Sequence, residues 1–204
     1  MIDAIAAAAG RPVSRETFDK LERYVGLLDA AADEQNLIAR STMVDVWKRH
    51  VLDSAQLVRF EARSGASWVD IGSGAGLPGL VIALLVGGPV SLVEPRRLRA
   101  DFLGRAVDAL GLAERVTVYH AKAGRVTGEF DMITARAVAS LQKTLEISSH
   151  LSTKNTVWAL PKGRSARTEL AEAQRAWQGV FHVEQSVTDP DSYIVVASGV
   201  GKKR

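Results

Sequence analysis

A glycine-rich segment is the feature of this sequence best suited to bind a small molecule. Residues 70–79 read Asp-Ile-Gly-Ser-Gly-Ala-Gly-Leu-Pro-Gly, between two apolar stretches. Glycine reaches positive φ angles and lets the backbone approach a ligand without a Cβ atom in between. If a strand precedes the segment and a helix follows it, the first N–H groups of that helix are free to meet a ligand. A tight turn without a ligand is the alternative interpretation.

An acidic side chain follows at the distance expected for a nucleoside site. Glu94 ends the next apolar stretch, 18 residues beyond Gly76. A carboxylate at the end of the second strand of such a unit can accept hydrogen bonds from both hydroxyls of a ribose. The alternative is an exposed carboxylate paired with Arg96 or Arg97.

The glycine spacing and the position of Asp70 separate two cofactor classes. Dinucleotide sites use G-x-G-x-x-G and cradle a pyrophosphate, whereas this chain has Gly72, Gly74 and Gly76 in a G-x-G-x-G pattern. Asp70 would repel a pyrophosphate but could engage the ammonium group of a methionine moiety, directly or through water. The segment therefore resembles the cofactor loop of class I S-adenosylmethionine-dependent methyltransferases, with Asp70, the three glycines and Glu94 as cofactor-binding candidates.

Residue types that are missing narrow the chemistry of the acceptor. The chain has no cysteine, which excludes a thiolate attacking carbon five of a pyrimidine, thiolate metal sites and disulfides. Enzymes that methylate exocyclic amines usually carry an Asn/Asp-Pro-Pro-aromatic motif after the fourth strand, where this chain has Thr134-Ala135-Arg136-Ala137. An arginine accepts no proton, but its donors can hold a phosphate, a carboxylate or a base edge. The acceptor should therefore need no general base, and we name no catalytic residue.

The elements that must position these residues are predicted by hydrophobic periodicity. Residues 1–66 read as a helical extension in which Ser14 caps the first long helix. A connection is predicted at 36–41 and a second helix at 43–59. Apolar side chains at helical spacing should face inward in these two helices: Phe18, Leu21, Val25, Leu28, Val44, Trp47, Val51 and Leu52.

Strands alternate with helices over residues 67–204, which we predict to form one S-adenosylmethionine-binding domain. The predicted strands are 67–71, 90–94, 116–119, 131–134, 156–160, 180–185 and 193–197, and the predicted helices are 79–86, 97–110, 138–151 and 166–177. The turn signal Asp189-Pro190-Asp191 makes the last two strands a hairpin. The expected fold is α/β and Rossmann-like, with a mostly parallel seven-stranded sheet and a terminal antiparallel hairpin. Lys202-Lys203-Arg204 should be a frayed tail.

Composition and charge describe an ordinary globular protein with a basic second part. Of 204 residues, 47% are hydrophobic and 24% charged, which excludes disordered and fibrous classes. Residues 68–204 carry 17 basic and 13 acidic side chains, which suggests a polyanionic partner. No signal peptide or membrane span is apparent, so we expect a cytoplasmic protein without membrane association. The four histidines are scattered, so we expect no metal site.

With these residues in view, the chain resembles the bacterial small-subunit (16S) ribosomal RNA guanine-N7 methyltransferases, the glucose-inhibited-division-B family, from about Asn36 to Val196. The segments that carry the resemblance are Asn36-Leu37, Arg49-His50-Val51-Leu52-Asp53-Ser54, the loop 70–79, Arg97-Leu98-Arg99 with Phe102-Leu103, Thr134-Ala135-Arg136-Ala137 with Ser140-Leu141, and Leu160-Pro161-Lys162-Gly163. The segments containing Arg49 and Arg136 are the specific ones, since the glycine loop is common to all class I enzymes.

The resemblance implies methyl transfer from S-adenosylmethionine to N7 of a guanosine in small-subunit ribosomal RNA, free or in the assembling subunit. It places the cofactor at Gly72, Leu77, Ala123, Gly124 and Arg136, with Glu94 on the ribose. The RNA-binding candidates are Arg49, His50, Lys122, Arg136 and Lys162, of which Arg136 and Lys162 follow strands at the functional end of the sheet. A buried structural histidine is the alternative to an RNA contact for His50. We expect the arginines at 96, 97, 99 and 105 to lie on the solvated face of a helix.

Three departures from the family pattern stand out. Lys122 replaces an arginine, Gly124 replaces a glutamate, and Ser192 replaces an arginine before the last strand. The departures at Gly124 and Ser192 keep a non-catalytic ribosome-assembly or nucleotide-binding module as an alternative function. A small-molecule methyltransferase with the same fold is the alternative among enzymes.

Overall fold

A seven-stranded sheet forms the centre of the molecule in a computed structural model that describes residues 1–35 and 43–203, the side chains of 32–35 excepted. The predicted connection at 36–41, with Asn36-Leu37, lies outside the described residues. The strands are β1 (Trp68–Ile71), β2 (Val90–Val93), β3 (Val116–Tyr119), β4 (Phe130–Ala135), β5 (Ser152–Lys162), β6 (Trp177–Gln185) and β7 (Tyr193–Lys202).

The strand order is β3-β2-β1-β4-β5-β7-β6. Strands β1 to β5 pair in parallel, and β7 runs antiparallel to both β5 and β6. This is the mostly parallel sheet with a terminal hairpin that the sequence predicts. The carboxyl ends of β1, β2, β4 and β5 consequently meet at one edge, where open α/β sheets bind their ligands.

Helices cover both faces of the sheet: α1 (Ile2–Ala9), α2 (Arg15–Gln35), α3 (Asp53–Ala55), α4 (Gly79–Leu85), α5 (Arg97–Ala109), α6 (Leu141–Ser148) and α7 (Ala166–Ala173). Two predicted helix ends need correction. The helix predicted from residue 138 begins at Leu141, because the Oγ of Ser140 accepts a hydrogen bond from the N–H of Lys143 and caps it. The helix predicted to reach Trp177 ends at Ala173, because Trp177 is already the first residue of β6.

The N-terminal helices follow the predicted apolar stripe with one exception. The Oγ of Ser14 accepts a hydrogen bond from the N–H of Thr17 (3.1 Å), which confirms the cap. Leu21 and Leu28 are completely buried. The second predicted helix is a π-helix (Trp47–Leu52) followed by α3 and a 3-10 helix (Gln56–Phe60). Val44 was expected to face inward but is 89% exposed, because it lies in a turn before the π-helix.

Two apolar clusters pack against the two faces of the sheet. Successive strand residues alternate between them, so that Trp68 and Leu92 belong to one cluster and Val69 and Val93 to the other. The first cluster joins the N-terminal helices to α4 and α5; the second joins the sheet to α6 and α7. The predicted extension 1–66 therefore contributes to the same core as the predicted methyltransferase domain.

The terminal hairpin turns where Asp189-Pro190-Asp191 predicts it. The N–H of Ser192 donates to the carbonyl of Asp189 (3.1 Å) and closes the turn. The predicted fraying of the tail is wrong for Lys202 and Lys203. Lys202 ends β7 with its ammonium 5.7 Å from the ring centroid of Trp177, and the N–H of Lys203 donates to Ala176. No helix among the described residues is long and apolar enough to cross a membrane.

Candidate active site

The glycine loop links β1 to α4, and its three central glycines do not all serve the same purpose. Gly72, Gly74 and Gly76 all have positive φ angles, of 69°, 57° and 92°. A Cβ atom on Gly72 would come within 2.5 Å of Val138, and one on Gly76 within 2.5 Å of Leu80. Only at Gly74 are the nearest atoms at ordinary contact distance, 3.7 and 3.8 Å. The expected open approach to a ligand therefore holds for Gly74, whereas Gly72 and Gly76 are required by packing.

Asp70 caps the helix that follows the loop. Its Oδ2 accepts a hydrogen bond from the N–H of Gly79 (3.0 Å), and the N–H of Leu80 donates to the carbonyl of Gly76 (2.7 Å). The expectation that the first N–H groups of α4 are free for a ligand is therefore wrong, since the protein satisfies them itself. The Oδ1 of Asp70 is buried and has no hydrogen-bond partner among the described residues.

Burial raises the pKa of Asp70 to about 7, opposed by hydrogen bonds from Ser73 and Gly79 and by the charge of Arg136. A buried carboxylate with one unsatisfied oxygen gains most from a cationic partner. The ammonium group of a methionine moiety would be such a partner.

Glu94 holds the loop from the neighbouring strand. Its Oε2 accepts a hydrogen bond from the N–H of Gly74 (2.9 Å), its Oε1 accepts one from the N–H of Arg96 (2.8 Å), and the residue is 3% exposed. The alternative of an exposed surface ion pair does not describe this residue. Each carboxylate oxygen retains a lone pair, so the predicted contact with ribose hydroxyls remains open to it.

A mostly apolar cavity of about 570 Å³ lies beside the loop at the carboxyl ends of β1 and β2. Four predicted residues line it: Gly72, Lys122, Ala123 and Gly124. Val93 and Pro95, on either side of Glu94 in the sequence, also line it. We call it the cofactor cavity. Its size and apolar walls suit an adenosine. Glu94 itself is buried between Val93 and Pro95 and is not part of the wall.

Six predicted cofactor residues are not among those that line this cavity: Asp70, Gly74, Gly76, Leu77, Glu94 and Arg136. Gly76 and Leu77 are buried in the core behind the loop rather than in the wall of the cofactor cavity. Arg136 lies at the end of β4 and lines a different cavity, of about 340 Å³, together with Lys162 and Asp53. We call this second space the acceptor cavity.

Arg136 is held by the helical stretch that contains Asp53. Its Nη1 lies 3.3 Å from Asp53 Oδ2 and 3.5 Å from the backbone carbonyl of Arg49, with about a fifth of each of the Arg136 and Asp53 side chains exposed. The positive charge of Arg136 also lowers the pKa of Asp70. Arg136 is therefore placed between the glycine loop and the acceptor cavity.

Lys162 is engaged within the protein. Its Nζ donates to the carbonyl of Ala139 (2.8 Å) and pairs with Glu169 Oε2 (3.0 Å), which leaves 10% of the side chain exposed. Glu169 Oε2 in turn accepts from the N–H of Leu141 at the start of α6. Lys162 lines the acceptor cavity, but a phosphate contact would compete with this ion pair.

His50 and Arg49 occupy the π-helix above Arg136. Burial lowers the pKa of His50 to about 4, with the charges of Arg136 and Arg49 acting in the same direction. His50 is therefore neutral at pH 7. The side chain of Arg49 is exposed. Arg49 can therefore offer a positive charge to an RNA phosphate, whereas the neutral His50 cannot.

Two residues at the site were missed by sequence reasoning. The Arg49–Ser54 pattern does not single out Asp53, yet its carboxylate joins Arg136 to Thr188 and Gln56. Gln56 is completely buried and binds the hairpin loop, with its Nε2 donating to Ser186 and its Oε1 accepting from the N–H of Val187. Polar residues inside an apolar helical pattern were the signal that could have found them.

The three departures lie at the rims of these cavities. Lys122 is exposed beside the cofactor cavity. A Cβ atom on Gly124 would meet no atom within 4 Å, so nothing in the described structure excludes a larger side chain there. Ser192 lines the acceptor cavity and donates its hydroxyl to Asp189 (3.2 Å). Among the described residues no group of acidic or histidine side chains is arranged to hold a metal ion.

Comparison with known proteins gives one consistent result. The family described as "rRNA small subunit methyltransferase G" matches residues 17–191. A protein named "Ribosomal RNA small subunit methyltransferase G" from Zymomonas mobilis is 45% identical over 201 residues, covering 94% of this chain and 90% of that protein. A protein of the same name from Sphingopyxis alaskensis is 48% identical over 188 residues, covering 91% of this chain and 80% of that protein.

Solved structures show the same fold at low sequence identity. A methyltransferase from Aquifex aeolicus, described as dependent on S-adenosylmethionine, superposes with a TM-score of 0.61 at 16% identity, covering 76% of this chain and 93% of that one. A ribosomal protein L11 methylase from Lactobacillus delbrueckii superposes with a TM-score of 0.56 at 13% identity, covering 76% of this chain and 79% of that one.

Proposed function

The chain belongs to the rRNA small subunit methyltransferase G family, and we propose that it transfers the methyl group of S-adenosylmethionine to N7 of a guanosine in small-subunit ribosomal RNA. It is a methyltransferase dependent on S-adenosylmethionine. The atom methylated and the form of the RNA, free or in an assembling subunit, are the finer parts of the proposal.

The residues around the glycine loop fit this cofactor. The unsatisfied Oδ1 of Asp70 suits its ammonium group, the open face of Gly74 leaves room for it, and Glu94 suits the ribose. When bound, the cofactor supplies an electrophilic methyl group on a sulfonium. The protein's own contribution is to orient that group toward the acceptor cavity and to keep water away from it.

The position of Arg136 is the observation that carries the proposal. It faces the acceptor cavity, it is charged at every physiological pH, and Asp53 fixes its direction. A guanidinium there can hold a phosphate or the edge of a guanine but cannot remove a proton. Guanine N7 has a lone pair and no proton to lose, so an acceptor of this kind needs no base.

The carboxylates that line the acceptor cavity are engaged. Asp53 pairs with Arg136, and Glu169 pairs with Lys162. Both ion pairs hold the two cations in place. The cavity therefore suits a polar acceptor better than an apolar small molecule.

The RNA must present its guanine outside a regular duplex. N7 faces the major groove, which in A-form RNA is deep and narrow and closed to protein side chains. A guanine in a loop, a bulge or a single-stranded segment can enter the acceptor cavity. We therefore expect the target to be unpaired when it is methylated.

The test is methyl transfer from radiolabelled S-adenosylmethionine to small-subunit ribosomal RNA, free and assembled, followed by mapping of 7-methylguanosine. We expect the wild-type protein to label the RNA. In Arg136→Ala the rate of methyl transfer should fall at least a hundredfold, because the acceptor is no longer positioned. Arg136→Lys should recover only part of the rate, since lysine keeps the charge but not the paired N–H donors of the guanidinium group.

Three outcomes would contradict the proposal in different ways. Label on a nucleoside or another small molecule but not on RNA would favour the small-molecule methyltransferase. Cofactor binding without transfer to any acceptor would favour a non-catalytic ribosome-assembly or nucleotide-binding module. Label on RNA at an atom other than N7 would retain the enzyme class and refute the guanine-N7 assignment.

A further inference from the structure

A further cavity adjoins the acceptor cavity and shares walls with it. It measures about 300 Å³. Its lining includes Asp45, Lys48, Arg49 and Asp189, and it shares Asp53 and Ser192 with the acceptor cavity. We call it the flanking cavity. The backbone carbonyl of Arg49, in the wall of the flanking cavity, lies 3.5 Å from Nη1 of Arg136, in the wall of the acceptor cavity.

The flanking cavity carries both cations and carboxylates. Lys48 and Arg49 are exposed, and neither forms an ion pair with another residue in the described part of the chain. Asp53 is paired with Arg136. Asp189 accepts hydrogen bonds from the N–H of Asp191 and the hydroxyl of Ser192, and Arg49 lies near enough to act on its charge. A ligand here meets two uncommitted positive groups and a set of hydrogen-bond acceptors.

This combination selects one class of ligand. A phosphate alone would satisfy Lys48 and Arg49 but would be repelled by Asp45 and Asp189. A nucleotide satisfies both sets, because its phosphate attracts the cations and the amino or imino groups of its base donate to the carboxylates. The volume is at the lower end of the range of small-molecule sites, about 300–1,000 Å³, which fits a single nucleotide.

We propose that the flanking cavity binds the nucleotide adjacent to the target guanosine in the same RNA strand. Lys48 and Arg49 hold its phosphate, and Asp45 and Asp189 face its base. Since the flanking cavity and the acceptor cavity share Asp53 and Ser192, a guanosine in one places its neighbour at the mouth of the other. The enzyme would thereby read sequence next to the methylated base. This inference rests on the function proposed above.

The test compares charge removal in the flanking cavity with charge removal at the opposite edge of the sheet. Lys48→Ala and Arg49→Ala are each expected to raise the KM for small-subunit ribosomal RNA about tenfold. Each should reduce the salt dependence of RNA binding by about one unit of slope, without changing the affinity for S-adenosylmethionine. The matched controls are Lys154→Ala and Arg175→Ala, exposed cations near the amino ends of β5 and β6. These control variants should have the KM for RNA and the salt dependence of RNA binding of the wild type.

A second arm tests base reading. The substrate is an oligonucleotide spanning the methylated guanosine, with one neighbour at a time replaced by an abasic residue. For one of the neighbouring positions, we expect the abasic replacement to lower the kcat/KM of the wild type about tenfold. The same replacement should not change the kcat/KM of Asp189→Asn. If Lys48→Ala and Arg49→Ala behave like the controls, or Asp189→Asn is as sensitive as the wild type at every neighbour, the inference fails while the proposed function stands. No transfer to RNA by the wild type would refute the proposed function itself.

Discussion

At the scale of single residues, two carboxylates support the cofactor loop from within. Asp70 caps α4 through Gly79, and Glu94 holds the N–H groups of Gly74 and Arg96. Both are almost completely buried, so their charges cost free energy that these hydrogen bonds offset. If these side chains also contact the cofactor, each acts on cofactor binding in two ways, and variants must separate the two effects.

Gly74 offers a direct test of the loop. Gly74→Val should abolish measurable binding of S-adenosylmethionine, because a side chain would enter the space left open beside the loop. The matched control is Gly111→Val, since Gly111 also has a positive φ (66°) and no atom within 4 Å of an added Cβ. Both variants carry the same backbone strain, so only the first should lose the cofactor in calorimetric titration. Equal cofactor affinity in two folded variants would refute the assignment of the loop.

Asp70 predicts a dependence of cofactor binding on pH. Its pKa of about 7 means that it is mostly neutral at pH 6 and mostly ionised at pH 8. If it binds the cofactor's ammonium group, the affinity should rise from about pH 6 to about pH 8, and Asp70→Asn should remove the rise. Titration of the wild type and the variant with the demethylated cofactor product at several pH values measures this. A wild-type affinity that does not change with pH would refute the contact.

Ionisation of Asp70 should lower the stability of the fold, although it should raise the affinity for the cofactor. Because the folded-state pKa lies above the ordinary value of 3.8, the folded protein binds the proton more tightly than the unfolded chain does. This contribution to stability is fully present below about pH 4 and is lost as pH rises through about 7. Asp70→Asn should flatten that part of the unfolding profile of the protein without cofactor, which provides an independent measurement of the pKa.

At the scale of elements, helix α2 reaches across the core to the cofactor loop. The completely buried Tyr24 donates its hydroxyl to the carbonyl of Ala75 (2.8 Å), and a Cβ atom on Gly76 would meet the same hydroxyl at 3.0 Å. The N-terminal extension therefore fixes the middle of the glycine loop. This contact joins residues 51 positions apart in the chain.

Tyr24→Phe should weaken cofactor binding as well as the fold. It leaves the carbonyl of Ala75 without its donor in a buried place, which costs about 1–3 kcal/mol. The control on the same helix is Leu28→Val, a core truncation that costs about 1 kcal/mol and does not touch the loop. Thermal unfolding should show losses of similar size in both, and titration with S-adenosylmethionine should show weaker binding only in Tyr24→Phe. Unchanged affinity in Tyr24→Phe would mean that the loop holds its shape without α2.

At the scale of the whole molecule, the two predicted segments share one core. Leu21 and Leu57, from the extension, belong to the same cluster as Leu80 and Phe102, from the sheet-containing part. We therefore expect a fragment of residues 67–204 to fail to fold alone, because the face covered by the extension would be exposed to water. The full chain should unfold in a single transition. A fragment with the circular dichroism and cooperative melting of a folded protein would contradict this expectation.

The class of fold and the type of cofactor were determined by local patterns in the sequence. The alternation of strands and helices, the glycine spacing, Asp70 and Glu94 act over short distances along the chain, and the family membership agrees with them. The terminal hairpin was also predictable, since its turn chemistry is contained in Asp189-Pro190-Asp191. Helix ends were predicted less well. The cap at Ser140 is a local contact that the hydrophobic pattern does not record, whereas the early start of β6 depends on its pairing with β7.

Only the tertiary structure decided which of these residues face a ligand and which hold the protein together. Gly76 and Leu77 belong to the same motif as Gly74 yet lie in the core, and Lys162 is tied to Glu169 from another helix. The partners of Arg136 are more than 80 positions away in the chain, and Gln56 binds a hairpin loop 130 residues distant. A periodic pattern records whether a side chain is buried, but not which distant element it meets. The geometry of the acceptor cavity is made by such distant pairs, and so it appears only in the folded molecule.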